Sequence, residues 1–331
     1  MCWIPDKKKS QNFDRNRGTY MQDHSTTSPV LASGLMIGSM AIIGVIDNVV
    51  VLLAETVGLW QFHLTRALLM FPLIVGLSVV GLGRLRPRRW RSVILRSVLM
   101  TVAMLCYFAS LAMMPIAQAL AGLFTSPIFV LLISSLALRQ TIGPWRILAV
   151  LMGFTGILLV LQPNPSDFDT RTLLPVVAGF FYALGSILTR THCSSESTVA
   201  MLAAMVITLG TAGAIGAMAF TLSPVDTPDG PEGFVTRGWV WAFGPAMLWI
   251  GIQAVGSTVA VFMLIKAYQV GEPSYVAVFE YSVMIFGPLF AFVALGQSIG
   301  VMQVSGIALI ALAGALLGWR AKRSSSLQEM A

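Results

Sequence analysis

Charge is scarce in this chain: aspartate, glutamate, lysine and arginine together make up 11% of it. Three cysteines (Cys2, Cys106, Cys193) and three histidines (His24, His63, His192) are all it has of the common soft metal ligands. The cysteines lie far apart with no C-x-x-C pair, so neither a disulfide framework nor a zinc site is indicated. No H-E-x-x-H, G-x-S-x-G or G-x-x-x-x-G-K-[ST] occurs. Metalloprotease and serine-hydrolase chemistry therefore have no visible carrier, ATP is not the evident energy source, and no cofactor motif is present.

What the chain has instead is apolar sequence. Of its 331 residues 56% are hydrophobic, and the mean hydropathy is +0.80, too high for a soluble domain of this length. An all-α integral membrane protein is expected. The net charge of +7, which in a soluble protein would suggest a nucleic-acid partner, here serves topology, and no nucleic acid is expected. Residues 1–29 are polar, mixed in charge and lack an apolar stretch, so they read as a disordered cytoplasmic tail and not as a signal peptide; 320–331 read as a second cytoplasmic tail.

Between the tails lie ten apolar segments, at about 30–53, 60–82, 93–114, 116–138, 145–161, 173–189, 198–222, 239–267, 274–295 and 301–319. Each approaches the roughly 20 residues that a hydrocarbon core of about 30 Å demands of a helix. With the N-terminal tail inside, the inner loops collect the Lys7–Lys9 run, Arg84 to Arg91, Arg96, Arg139, Arg146, Arg190, Lys266 and the Arg320–Arg323 cluster. The outer loops hold only Arg171 and Arg237. This is the positive-inside pattern for an even number of spans with both termini cytoplasmic.

The chain also resembles itself. Ile116 to Gly143 and Pro273 to Gly300 share a small-residue start, an aromatic beside a hydroxyl (Phe124 and Thr125; Tyr281 and Ser282), an apolar run and a closing Gln-x-x-Gly. Five spans per half is odd, so the second copy enters the membrane from the opposite side. Two inverted five-helix repeats are expected, at 30–161 and 173–319, an architecture that many secondary transporters use around a site exposed alternately to the two faces.

Four stretches, 62–74, 107–163, 173–190 and 262–300, are similar to the ten-helix EamA-type permeases of the drug/metabolite transporter superfamily. The join from Met113, Met114 and Pro115 to Thr125, Ser126 and Pro127 carries much of the likeness. Where such permeases usually place glutamate at the ends of helices four and nine, this chain has Gln140 and Gln297. The resemblance implies a multi-pass carrier of the cell inner membrane, with a central cavity lined by helices one, three, four, six, eight and nine. It does not name the solute.

Ionisable groups inside the apolar segments are expensive, roughly 2.5–3.5 kcal/mol each at the bilayer centre, and so face partners or wet cavities. Asp47 and Arg66 fall at one depth near the outer ends of helices one and two; they either form a buried ion bridge or orient a charged solute group. Glu280 lies roughly 10 Å from the inner end of helix nine by the helical rise, and Leu123 stands opposite it in the other repeat. It either binds solute, with proton coupling as a further option, or pairs with Lys266. Asn48, Tyr107, Tyr182, Gln253 and Tyr281 complete the candidate substrate-binding set, each alone also explicable as helix packing. The expected function is a secondary carrier of a small organic metabolite such as an amino acid or amine, working by alternating access as a monomer or homodimer. A vitamin carrier of the riboflavin type is the alternative, and a membrane-embedded enzyme or scaffold the alternative of another class.

Overall fold

The computed structural model describes residues 28–47, 53–114, 116–163, 170–241, 244–295, 298 and 300–329. They form ten membrane-length helices: α1 (Pro29–Ile46), α2 (Leu59–Val79), α3 (Trp90–Met113), α4 in two pieces (Ile116–Leu123 and Ser126–Leu136), α5 (Pro144–Leu161), α6 (Leu173–Thr191), α7 (Thr198–Leu222), α8 (Gly244–Val270), α9 (Pro273–Val276, a 3-10 turn Ala277–Ser282, then Val283–Leu295) and α10 (Val301–Glu329). Helices are what lipid permits, since each closes its own backbone hydrogen bonds. α1, α5 and α9 begin on a proline, whose missing N–H costs nothing in a first turn. Ser197 caps α7 by accepting from the Ala200 N–H.

These helices are apolar all round, and their sidedness comes from packing. On α8, Leu248, Ile252, Val255 and Val259 are exposed and form the stripe that meets lipid. Gln253, Ser257, Leu264 and Tyr268 are buried on the opposite face of the same helix, the spacing that a 3.6-residue period requires.

The packing is that of two inverted repeats. α3 packs on α6 as α8 packs on α1; α4 packs on α6 as α9 packs on α1; α3 meets α7 as α8 meets α2. The remaining major pairs, α2 with α7 and α5 with α10, join equivalent helices of the two halves, so a pseudo-twofold axis passes through both. Glycine lets these axial pairs approach closely, as small residues do between membrane helices. A Cβ at Gly156 would stand 2.8 Å from the Gly306 carbonyl oxygen, and one at Gly213 would stand 2.7 Å from the Trp60 carbonyl oxygen.

The breaks in α4 and α9 fall at equivalent places. Pro127 has no N–H to offer the Leu123 carbonyl, and the helix interrupts there. Thr125 donates its hydroxyl to the Gly122 carbonyl (2.6 Å), and Ser282, its counterpart, donates to the Phe279 carbonyl (2.7 Å). Each hydroxyl bonds back to the carbonyl three residues before it, at the interruption.

Both ends of the bundle are tied across elements. At the cytoplasmic end Glu196 accepts from the backbone N–H of Arg88 and Arg89, 2.8 Å each. The Gln269 amide donates to the carbonyls of Cys193 and Glu196, Arg190 donates to the Gln269 carbonyl, and Arg146 pairs with Glu272. At the outer end Gln61 exchanges two hydrogen bonds with the Val240 backbone, and Arg237 donates to the Ala54 and Gly230 carbonyls.

Candidate functional site: a two-ended central cavity

A cavity of about 400 Å³ occupies the middle of the bundle. Its wall reaches Leu161, Ser298 and Gln303 at the outer ends of α5, α9 and α10 and includes none of the tied cytoplasmic loops, so in this conformation it is continued toward the outside and closed below. Polar groups gather at its two ends, and an apolar waist separates them.

The outer end is built by α1, α2, α3 and α8. Asp47 accepts from the Gln253 amide (3.2 Å), and Gln253 accepts in turn from the Ser257 hydroxyl (2.5 Å). Arg66 is buried with its guanidinium over the rings of Phe62 (5.0 Å) and Phe108 (5.7 Å), a cation–π placement. It faces Asp47 without forming an ion pair with it; among the described residues the ion pair present is Arg146–Glu272. Tyr107 lines the same end. His63 also faces the cavity, its ring edge-on to Phe108 at 4.9 Å and neither nitrogen bonded among the described residues.

The inner end is built by α3, α4, α6, α8 and α9. Glu280, 2% exposed, accepts from the hydroxyls of Tyr182 (2.8 Å) and Tyr268 (2.6 Å). Both bonds fall on Oε1. Ser126 lies beside the carboxylate, and Lys266 forms no ion pair with it. Arg96, 1% exposed, donates Nε to the Thr189 hydroxyl (3.1 Å) and leans Nη1 on the Met205 sulfur (3.7 Å). Thr189 can accept because its own proton goes to the Gly185 carbonyl (2.8 Å). Between the ends stand thioethers and rings, among them Met40, Met70, Met100, Met284 and Phe124.

Of the residues expected from sequence, Asp47, Arg66, Tyr107, Tyr182, Gln253 and Glu280 share this one cavity. Tyr281 turns away from it, fully buried with its ring over Gly153 of α5. Asn48, like Gln297, lies outside the described residues.

Residues 30–162 match the EamA-like transporter family. This match, with the transporters among its relatives, supports an EamA-type permease of the drug/metabolite transporter superfamily. The permease is 28% identical to a riboflavin transporter of Vibrio cholerae, across 82% of its own length and 85% of that protein's. It is 24% identical to an S-adenosylmethionine uptake transporter of Rickettsia bellii over 60% of its length and 62% of the other's. A solved crystal structure superposes on 90% of the permease, and on all of that chain, with a TM-score of 0.70 at 17% identity, which speaks for the fold alone. With ten spans and these bacterial relatives it is a multi-pass inner-membrane protein whose substrate is a small molecule.

Arg96 and Tyr268 are not among the candidates the sequence offers. Arg96 reads from sequence as an inner-loop cation, whereas the permease carries it inside α3 and against the cavity. The available signal was its place in the second turn of an apolar helix, where a loop cation should not be.

Proposed function

We propose that the permease carries a flat, polar-edged heterocycle of the riboflavin type by alternating access, its two halves (30–161 and 173–319) rocking about the central cavity. The observation that carries this reading is the cavity's division into two polar ends around a waist of thioethers and aromatic rings. A flat ring system matches such a waist, because methionine adapts its shape and its sulfur contacts aromatic faces favourably. A hydroxylated chain matches the outer end, where Asp47, Gln253, Ser257 and Tyr107 offer donors and acceptors together. The volume falls in the range of roughly 300–1,000 Å³ of sites that enclose small organic ligands. The relatives named for riboflavin support the same class.

A second reading, a cationic amino-acid-like metabolite, draws on the two cavity carboxylates and on the relatives named for S-adenosylmethionine. Uptake into proteoliposomes from a mixed metabolite pool, read by mass spectrometry, separates the two. Riboflavin should accumulate inside liposomes holding the permease and not inside empty ones, and the Glu280→Gln variant should lose most of that uptake. Accumulation of a cationic metabolite in place of riboflavin would favour the second reading. If no solute moves with well-folded protein, carrier function itself fails.

A further inference from the structure

Arg96 is a buried cation with no carboxylate partner among the described residues. Among the described residues its hydrogen-bond partners are a threonine hydroxyl and a thioether, both neutral, and its second terminal nitrogen has no partner there. Glu280 is in the complementary position. Both of its tyrosine donors bond Oε1 and Ser126 is a third hydrogen-bond partner of the carboxylate; with about four lone-pair positions on its two oxygens, the carboxylate can still accept one bond more. Arg96 and Glu280 are not paired with each other; Tyr182 is bonded to Glu280 and electrostatically coupled to Arg96. Both line the cavity, at its closed end. A buried charge left this way carries a desolvation cost that a hydrogen-bonding ligand relieves.

We propose that Arg96 and Glu280 together form a reader for a ligand edge that presents a carbonyl beside an N–H, as in a cyclic imide or lactam, with Arg96 donating to the carbonyl and Glu280 Oε2 accepting from the N–H. The inference rests on the reading of the permease as a carrier of a flat heterocycle, and deepens it by assigning the ligand's orientation: ring edge toward the cytoplasm, hydroxylated chain toward Asp47 and Gln253. Phe124 of the waist and Tyr182 of the inner end, both lining the cavity, supply flat walls for the ring. The tyrosines fix the carboxylate and Thr189 fixes the guanidinium, so the pair is oriented before the ligand arrives, which lowers the cost of binding.

The test varies the ligand first, so that folding of the protein is not in question. Binding of riboflavin to the full-length wild-type permease in lipid nanodiscs is measured by quenching of its fluorescence, beside N3-methylriboflavin, which lacks the N–H, and lumiflavin, which lacks the hydroxylated chain but keeps the imide. N3-methylation should weaken binding roughly tenfold or more, the cost of a lost hydrogen bond to a charged group, whereas lumiflavin should still compete. Arg96→Gln should weaken riboflavin binding by a similar factor and leave the already weakened N3-methyl analogue nearly unchanged, because the two changes break one recognition event. Equal binding of riboflavin and its N3-methyl analogue would overturn the imide reader while leaving the riboflavin reading intact. Absence of riboflavin binding in protein that binds S-adenosylmethionine would overturn both.

Discussion

Glu280 shows how much one position can say. Its counterpart in the first half is Leu123, and an acid that only one repeat carries is not needed to build the repeat. That asymmetry is visible in the sequence. Arg96 was not visible in the same way, since an arginine near a helix end reads as a loop anchor until packing places Thr189 and Met205 around it. Close helix crossings are equally hard to read: Gly34 and Gly318 stand in small-x-x-x-small spacing with Gly38 and Gly314, yet a Cβ at Gly34 or Gly318 would meet nothing within 4 Å. A tight position is Gly153, where any Cβ would enter the ring of Tyr281. Gly153→Val should lower the thermal unfolding midpoint in detergent by several degrees, in line with an overpacking cost of roughly 1–3 kcal/mol, and Gly34→Val should leave it unchanged. Equal midpoints for the two variants would mean that Tyr281 has room to move.

At the level of elements, the interruption of α4 follows from Pro127 and Thr125, and both are legible as residues that loosen a helix. The 3-10 turn in α9 is less so. Pro288 suggests a bend near itself, but the turn lies earlier, at Ala277–Ser282, where Ser282 bonds back to Phe279 and Glu280 must be delivered to the cavity. A helix that is already interrupted can change direction at little cost. Pro127→Ala restores the N–H that could bond the Leu123 carbonyl and should stiffen α4. The expected outcome is a turnover rate several-fold lower with KM little altered, measured by initial rates of uptake. A large change in KM with normal turnover would assign Pro127 to ligand binding instead. Segment ends were the weakest part of the sequence reading, because apolar composition marks a span's existence far better than its last turn.

For the whole molecule, the count of spans, their orientation and the inversion of the halves all follow from apolar length and arginine placement. The identity of the helix pairs does not, as it depends on contacts between residues far apart in the chain. Among those contacts, the ties at the cytoplasmic end cross between halves: Arg146 of α5 holds Glu272 at the start of α9, and Glu196 holds the loop before α3. On the alternating-access proposal they close the end that opens in the inward-facing state. Cys193 lies within this region, fully buried, and burial pushes its thiol up to about 11 with the Arg96 charge offsetting part of the rise. In the closed state few thiolates exist near pH 8; on opening, the thiol returns toward its ordinary value and reacts faster. Glu272→Gln should therefore speed labelling of Cys193 by a maleimide at pH 8, read by peptide mass spectrometry, with Cys106 as internal reference. An unchanged rate would mean that the Arg146–Glu272 pair does not hold the end shut.

Leu123 opposite Glu280 has a consequence for the direction of traffic. If both halves carried the acid, rocking would convert one state into a mirror of itself, and the carrier would show the same half-saturation on each face. Because one half carries it, the alternating-access proposal makes the outward-facing and inward-facing sites different sites with different affinities. Where transport is not coupled to an energy source, solute only equilibrates across the membrane, so the ratio of maximal rate to half-saturation must be equal for influx and efflux. The face that binds more tightly must then also be the one from which transport saturates at the lower rate.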